Sequence, residues 1–244
     1  MNLDEYRMNT KEIYYNDLLQ QIGPIMIGVS LIPIVIGFFK LNELNKELKL
    51  FWAFRILMPL INFLIWLFIW LVDRYYDFFL PFLTRFNIQN TYFLSILSYL
   101  TQIYFIGLFY SMLFHSSMIK RITMIYFFCA ILIYFFIDGY QEYGSVNALL
   151  IKIFIIVLSF LYFNKAFITG LNRNFLKNPY VLISLGLLLP NVFQVLFSLF
   201  VNDLNKTNFI LSIKLKILTN FIDFIGYFLF SLAFLRASKN LKIS

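Results

Sequence analysis

The chain has 244 residues, of which 61% are hydrophobic and only 13% are charged. Soluble globular domains are about 45–50% apolar and about 25% charged, so this composition excludes a soluble protein and indicates a polytopic membrane protein. A single histidine and a single cysteine exclude an intrachain disulfide and any metal site that needs several of these ligands. We therefore expect neither a metal nor another cofactor.

Seven segments are apolar enough to cross a hydrocarbon core, which takes about 20 residues of helix. The predicted spans are 18–39, 51–72, 91–114, 121–137, 147–164, 179–201 and 209–235. The polar, acidic start at 1–17 lacks the basic and apolar regions of a signal peptide, so we expect the first span to be retained. The sequence thus predicts an all-α bundle of seven transmembrane helices, followed by a basic tail at 236–244.

Basic residues predict how the bundle is threaded through the membrane. With the N-terminus outside, the inner segments 38–55, 114–121, 165–177 and 236–244 hold twelve Lys and Arg, and the outer segments hold five. Cytoplasmic loops carry such an excess, so we expect an N-out, C-in topology. The net charge of +8 then reflects topology and attraction to anionic lipid, and no nucleic-acid partner is expected.

Two loops are predicted to be helical. The first inner loop, KLNELNKELKLF, has Leu and Phe at helical spacing and should extend its flanking helices along the membrane surface. The second outer loop, DRYYDFFLPFLTRF, is dense in aromatic residues, which favour the headgroup level. We expect a short interfacial helix there.

Signatures of catalysis are missing from the sequence. HExxH and GxSxG do not occur, and no span contains a pair of carboxylates. His115 stands beside Ser116 at the end of a span, which predicts a helix cap or a headgroup contact rather than a base. Lys216 lies near the outer edge of the last span, and span three has no carboxylate, which argues against a retinal protein. We expect a protein without enzymatic activity and without catalytic residues.

Polar residues inside the spans fall on single helix faces, and they are the candidate pocket residues. Residues that share a face are three, four or seven positions apart. The candidates are Asn62, Gln102, Lys152, Asn191, Gln194, Lys216, Asn220 and Asp223.

The last two spans are expected to pair these groups. If Asn178 and Arg236 lie at one level of antiparallel helices, Asn191 falls opposite Asp223 and Gln194 opposite Asn220. Two interpretations remain open. The polar groups bond between helices and hold the bundle together, at about 0.6–2 kcal/mol each, or they line a polar cavity that opens outward.

In the second interpretation Lys152 lies near the cavity mouth and could keep Asp223 charged. An acid inside a membrane is a functional candidate by default, because its burial in hydrocarbon is costly.

The layout resembles a group of uncharacterised seven-span proteins from Bacteroidota. The resemblance is carried by LNELNKELKLFW, by LFYSMLFHSSMIKR, and by LYFNKAFITGLNRNFLKNPYVLISLG, and it covers residues 20–240. It implies a bacterial cytoplasmic (inner) membrane location and a sensory or accessory role. It implies no catalytic or binding residues.

The leading hypothesis is a non-enzymatic sensory or accessory subunit. Its outer pocket would take a small ligand or lipid, and its basic inner loops would contact a membrane or cytoplasmic protein partner. The alternative is a small-molecule or ion transporter or channel component that uses Asp223. A likeness between spans two and three (MPLINF, LTQIYFIG) and spans six and seven (LPNVFQ, LTNFIDFIG) favours that alternative. An intramembrane lipid enzyme is the third and weakest hypothesis.

Overall fold

The computed structural model describes residue 22 and residues 24–85, 94–138, 145–168 and 176–237. The predicted tail 1–17 and the tail beyond residue 237 lie outside these residues. The described part of the chain is helical. Its α-helices are α1 (Pro24–Phe39), α2 (Lys46–Arg74), α3 (Tyr76–Arg85), α4 (Ser95–Phe114), α5 (Ser117–Ile133), α6 (Ser145–Ile168), α7 (Pro179–Thr207) and α8 (Phe209–Leu235).

Six of the described helices are long and apolar enough to cross a membrane. They are α2, α4, α5 with its continuation to Ile137, α6, α7 and α8. Helix α1 is apolar but shorter than these six. Residues 18–21 and 23 of the predicted span 18–39 lie outside the described residues. The prediction of a polytopic helical membrane protein is confirmed, and the count of seven spans stays a prediction.

Side-chain caps explain where several helices begin. Each capping oxygen accepts a hydrogen bond of 2.9–3.3 Å from a backbone N–H in the first turn, which would otherwise have no partner. The capping residues are Asn45, Ser116, Asn178 and Asn208. Helix α4 ends at His115, whose backbone is left-handed with φ of 50°. The prediction that His115 caps a helix end is confirmed.

The two predicted loop helices have different outcomes. The aromatic loop that we predicted to lie outside forms helix α3, as expected, and its side and depth in the membrane stay predictions. In the loop predicted to be the first inner one, residues 40–43 form a turn, in which Lys40 and Glu43 make a 2.8 Å ion pair, and helix α2 begins at Lys46. The prediction of an extended helix is therefore confirmed only from residue 46.

The described helices divide into two compact units, with the division inside α6 after Leu158. One unit takes in α2 to α5 and the first part of α6. Its core joins α2 to α4 through aromatic pairs, with ring centroids 5.3 Å apart for Phe51 and Phe109. Helix α4 also approaches α5 closely at Gly107, where a β-carbon would lie 2.3 Å from the side chain of Thr123.

Buried polar residues tie this first unit together. The Asn147 side chain, fully buried in α6, donates a 3.0 Å hydrogen bond to the carbonyl of Ala130 in α5. That carbonyl lies just before a π-helical turn at Tyr134–Asp138, where the regular i to i−4 ladder changes. Arg55, which the topology prediction assigned to a basic inner segment, is only 8% exposed, and its guanidinium lies 6.0 Å from the Phe54 ring.

The other unit takes in α1, the second part of α6, α7 and α8. Helices α7 and α8 are separated by Asn208 alone and pack along their length. The guanidinium of Arg236, at the end of α8, donates to the carbonyl of Leu176, which precedes α7. The two helices are therefore antiparallel.

Candidate functional site between α7 and α8

The centre of the α7–α8 pair holds a polar contact between two of the candidate residues. The Gln194 side-chain amide donates a 2.9 Å hydrogen bond to a carboxylate oxygen of Asp223. Both residues are half-buried. An amide donor stabilises a carboxylate more than it would a neutral acceptor, because hydrogen bonds to charged groups are the stronger ones.

The partners differ from those predicted by depth. Depth matching placed Gln194 opposite Asn220, whereas Gln194 bonds to Asp223, three residues farther along α8. Side chains of a helix lean towards its own N-terminus. In an antiparallel pair, two long side chains therefore converge when each residue lies nearer the C-terminus of its own helix than the point level with its partner's α-carbon. Matching of α-carbon levels ignores this lean, and the prediction was wrong for that reason.

Asn191 has a different role from the predicted contact with Asp223. Its side-chain amide donates a 2.7 Å hydrogen bond to the carbonyl of Leu187 in its own helix. Such a bond satisfies the amide locally, without a partner from another helix. The partner of Asp223 on α7 is therefore Gln194 and not the predicted Asn191.

Below the polar pair, α7 and α8 touch through their backbones. A β-carbon on Gly226 would lie 2.9 Å from the carbonyl oxygen of Gly186 and 3.0 Å from the ring of Pro190. Pro190 has no N–H, so it cannot donate the usual helical hydrogen bond to the carbonyl of Gly186, four residues earlier. The freed oxygen instead faces the α-hydrogen of Gly226, an arrangement typical of close helix contacts in membranes. On α8 this contact lies three residues, about one turn, from Asp223.

The remaining α8 candidates face other surroundings. Asn220 is half-buried and lines a cavity of about 240 Å³ between α8 and the start of α1, where its neighbours include Ile25 and Met26. Lys216 is exposed, one turn closer to the start of α8. The polar residues predicted to share one face of α8 therefore have different neighbours. Asp223 contacts α7, and Asn220 lies near α1.

A larger groove runs between α7 and α8 beside the polar pair. It has a volume of about 550 Å³, and its walls include Leu196, Phe200, Leu204, Leu211 and Leu215. None of the eight predicted residues lines this groove. Phe193 and Thr219 close one end of it, and they are neighbours of Gln194 and, one turn away, of Asp223.

The other three candidates belong to the unit of α2 to α6. Asn62 is exposed on α2, Gln102 is half-buried on α4, and Lys152 is half-buried on α6. The proposed neutralisation of Asp223 by Lys152 stays a prediction. Among the residues that the structure describes, no three His, Cys, Asp or Glu side chains group together as metal ligands.

Several residues that shape the fold gave weak signals in the sequence. Asn147 lies at the predicted edge of a span and reads as an interfacial residue, although it is fully buried. Gly186 and Gly226 show no motif, since they come from different helices. The α7–α8 groove is lined mostly by Leu and Phe side chains, which are common on lipid-facing helix surfaces. Their spacing alone does not reveal a cavity.

The site can therefore offer two things to a ligand, a hydrogen-bonded carboxylate and an apolar groove next to it. Comparisons of the chain with protein-family models, with curated proteins and with solved structures find no match.

Proposed function

We propose that this chain is a seven-helix protein of the bacterial cytoplasmic membrane, N-out and C-in, that acts as a non-enzymatic sensory or accessory subunit. An outward-facing site on α7 and α8 takes a small ligand or lipid, and the basic inner segments contact a protein partner. The observation that carries the proposal is the Gln194–Asp223 hydrogen bond beside an apolar groove. This combination suits an amphipathic ligand, because ligand pockets usually have apolar walls and a few polar groups that orient the ligand.

The experiment is a cross-linked pull-down of the tagged full chain from its native membrane, read by mass spectrometry. A stoichiometric partner with a soluble output domain is expected, with cross-links that map to 38–55, 165–177 or the C-terminal tail. A matched sample carries Gln in place of Lys46 and Lys49, which removes two bases from the first of these segments. Loss of the partner from the material recovered with this variant would support the basic face as the contact.

Recovery of the protein alone, or only with itself, would overturn the accessory role. A reporter enzyme fused at the C-terminus adds a test of topology. Activity of a reporter that works only outside the cytoplasm would contradict the C-in orientation.

A transporter or channel component is the second candidate, and the position of Asp223 favours it. This half-buried carboxylate lies next to a helix that contains Pro190, and an ionisable group within a membrane span is typical of ion and proton pathways. Asp223→Asn should keep the carbonyl acceptor for Gln194 but remove the charge. We expect the variant to fold and its flux to be lost.

Proteoliposomes with an entrapped pH dye would measure this flux with the proton itself as the probe. Phe221→Leu is the control, since Phe221 is 60% exposed on the same helix. Wild-type proton flux that persists in Asp223→Asn would reject Asp223 as the coupling acid.

A further inference from the structure

The α7–α8 groove has the length of one membrane leaflet. Its lining residues on α7 run from Phe193 to Thr207, an advance of fourteen residues, about 21 Å at 1.5 Å per residue. Half of a bilayer about 40–45 Å thick, headgroup regions included, is about 20–22 Å. The groove starts near the polar sequence NDLNKTN at 202–208, typical of the headgroup level, and ends beside the Gln194–Asp223 pair.

The walls of the groove suit an apolar, extended occupant. Eight of the ten side chains that line it are leucine or phenylalanine, and the other two are threonine. A single extended hydrocarbon chain can enter from the headgroup level and lie along leucine and phenylalanine side chains.

A basic residue lies on the face of α8 that borders the groove. Lys214 stands three residues after Leu211 and four before Leu218, both of which line the groove, and Lys214 is itself exposed. A lysine near a helix end extends its ammonium towards the headgroups while its stem covers apolar surface. A phosphate at that level would complement its charge.

We propose that the groove binds one acyl chain of a membrane phospholipid, with the lipid phosphate near Lys214. The chain end contacts Phe193 and Thr219, next to the polar pair. This inference deepens the proposed function by naming the ligand class. It rests on that proposal for the outward direction of the site.

Native mass spectrometry of the full chain provides the test. The protein is reconstituted in vesicles of phosphatidylethanolamine and phosphatidylglycerol, extracted in mild detergent, and analysed for retained phospholipid. Leu196→Trp fills the groove. Leu199→Trp is the matched control, because Leu199 lies in the same helix and is 58% exposed, against 50% for Leu196.

We expect the wild type and Leu199→Trp to retain one phospholipid. Leu196→Trp should lower the retained fraction about tenfold, equivalent to about 1.4 kcal/mol in binding. Leu211→Trp, on the opposite wall, is a second groove-filling variant in case the first does not elute as a monodisperse protein. Lys214→Gln should weaken retention of the anionic lipid more than that of the zwitterionic one.

Three results would overturn the proposal: no retained phospholipid in the wild type, equal retention in groove-filling and control variants, or a dimer mass that groove filling abolishes. The last would assign the groove to a second copy. A pull-down that finds no protein partner would remove the sensory role and leave this lipid result unchanged, so the two failures are distinguishable.

Discussion

Replacement of Gly226 by leucine is expected to lower the free energy of unfolding by about 3 kcal/mol, the upper part of the range for overpacked cores. The first side-chain atom would already lie 2.9 Å from the Gly186 carbonyl oxygen and 3.0 Å from the Pro190 ring. Both obstacles belong to the backbone or to a rigid ring. Helices α7 and α8 would therefore have to separate, and a tight packing contact in membranes would be lost.

Gly28→Leu is the matched control for this substitution. A β-carbon on Gly28, in helix α1, would meet nothing within 4 Å. Leucine also has the higher helix propensity, so this variant should be as stable as the wild type or slightly more stable. Titration with SDS in mixed micelles, followed by circular dichroism, measures both variants. Equal destabilisation of the two would show that the α7–α8 contact is not tight.

The Gly226 variant should also weaken the polar pair. Separation of α7 from α8 would lengthen the 2.9 Å hydrogen bond between Gln194 and Asp223, because the two side chains belong to different helices. Gly226→Ala is a milder form of the same test. The free energy of unfolding of the alanine variant should fall between the values for the wild type and for Gly226→Leu.

Replacement of Gln194 by leucine is expected to cost about 2 kcal/mol, within the range for a hydrogen bond to a charged group. Asp223 would lose an amide donor in a region of low dielectric constant, where a hydrogen bond to a carboxylate is stronger than in water. The double variant Gln194→Leu with Asp223→Leu should recover most of the stability, because an apolar pair of similar shape needs no donor.

A double-mutant cycle in detergent micelles isolates this coupling. Asn191→Leu is the control, since the Asn191 amide donates to the Leu187 carbonyl of its own helix, and it should change stability by less than about 0.5 kcal/mol. Additive costs of the Gln194 and Asp223 substitutions would mean that the two side chains do not interact.

Helix positions could be read from the sequence because they depend on local chemistry. The last span was predicted at 209–235, and α8 runs from Phe209 to Leu235. A continuous apolar run has to be helical in lipid, since every backbone polar group must bond within its own segment. Asparagine caps add the start points, as at Asn178 and Asn208. The cap at His115 follows from the same local reasoning.

The polar stripe of α8 was also determined by sequence, but its partners were not. Spacing places Lys216, Asn220 and Asp223 on one face, because helical periodicity is a property of a single segment. Whether that face meets α7 or α1 depends on how neighbouring helices are rotated and tilted. The rotation and tilt of neighbouring helices cannot be read from the spacing of residues within one helix.

Contacts between helices required the tertiary structure. Gly186 meets Gly226 through backbone atoms, and the offset of Gln194 to Asp223 follows from the lean of side chains in opposite helices. The buried bond from Asn147 to Ala130 likewise joins residues of different helices. The sequence by itself determined a helical membrane protein and the chemical groups within its spans. Only the tertiary structure decided which groups meet, because that choice depends on the distance of closest approach between helices.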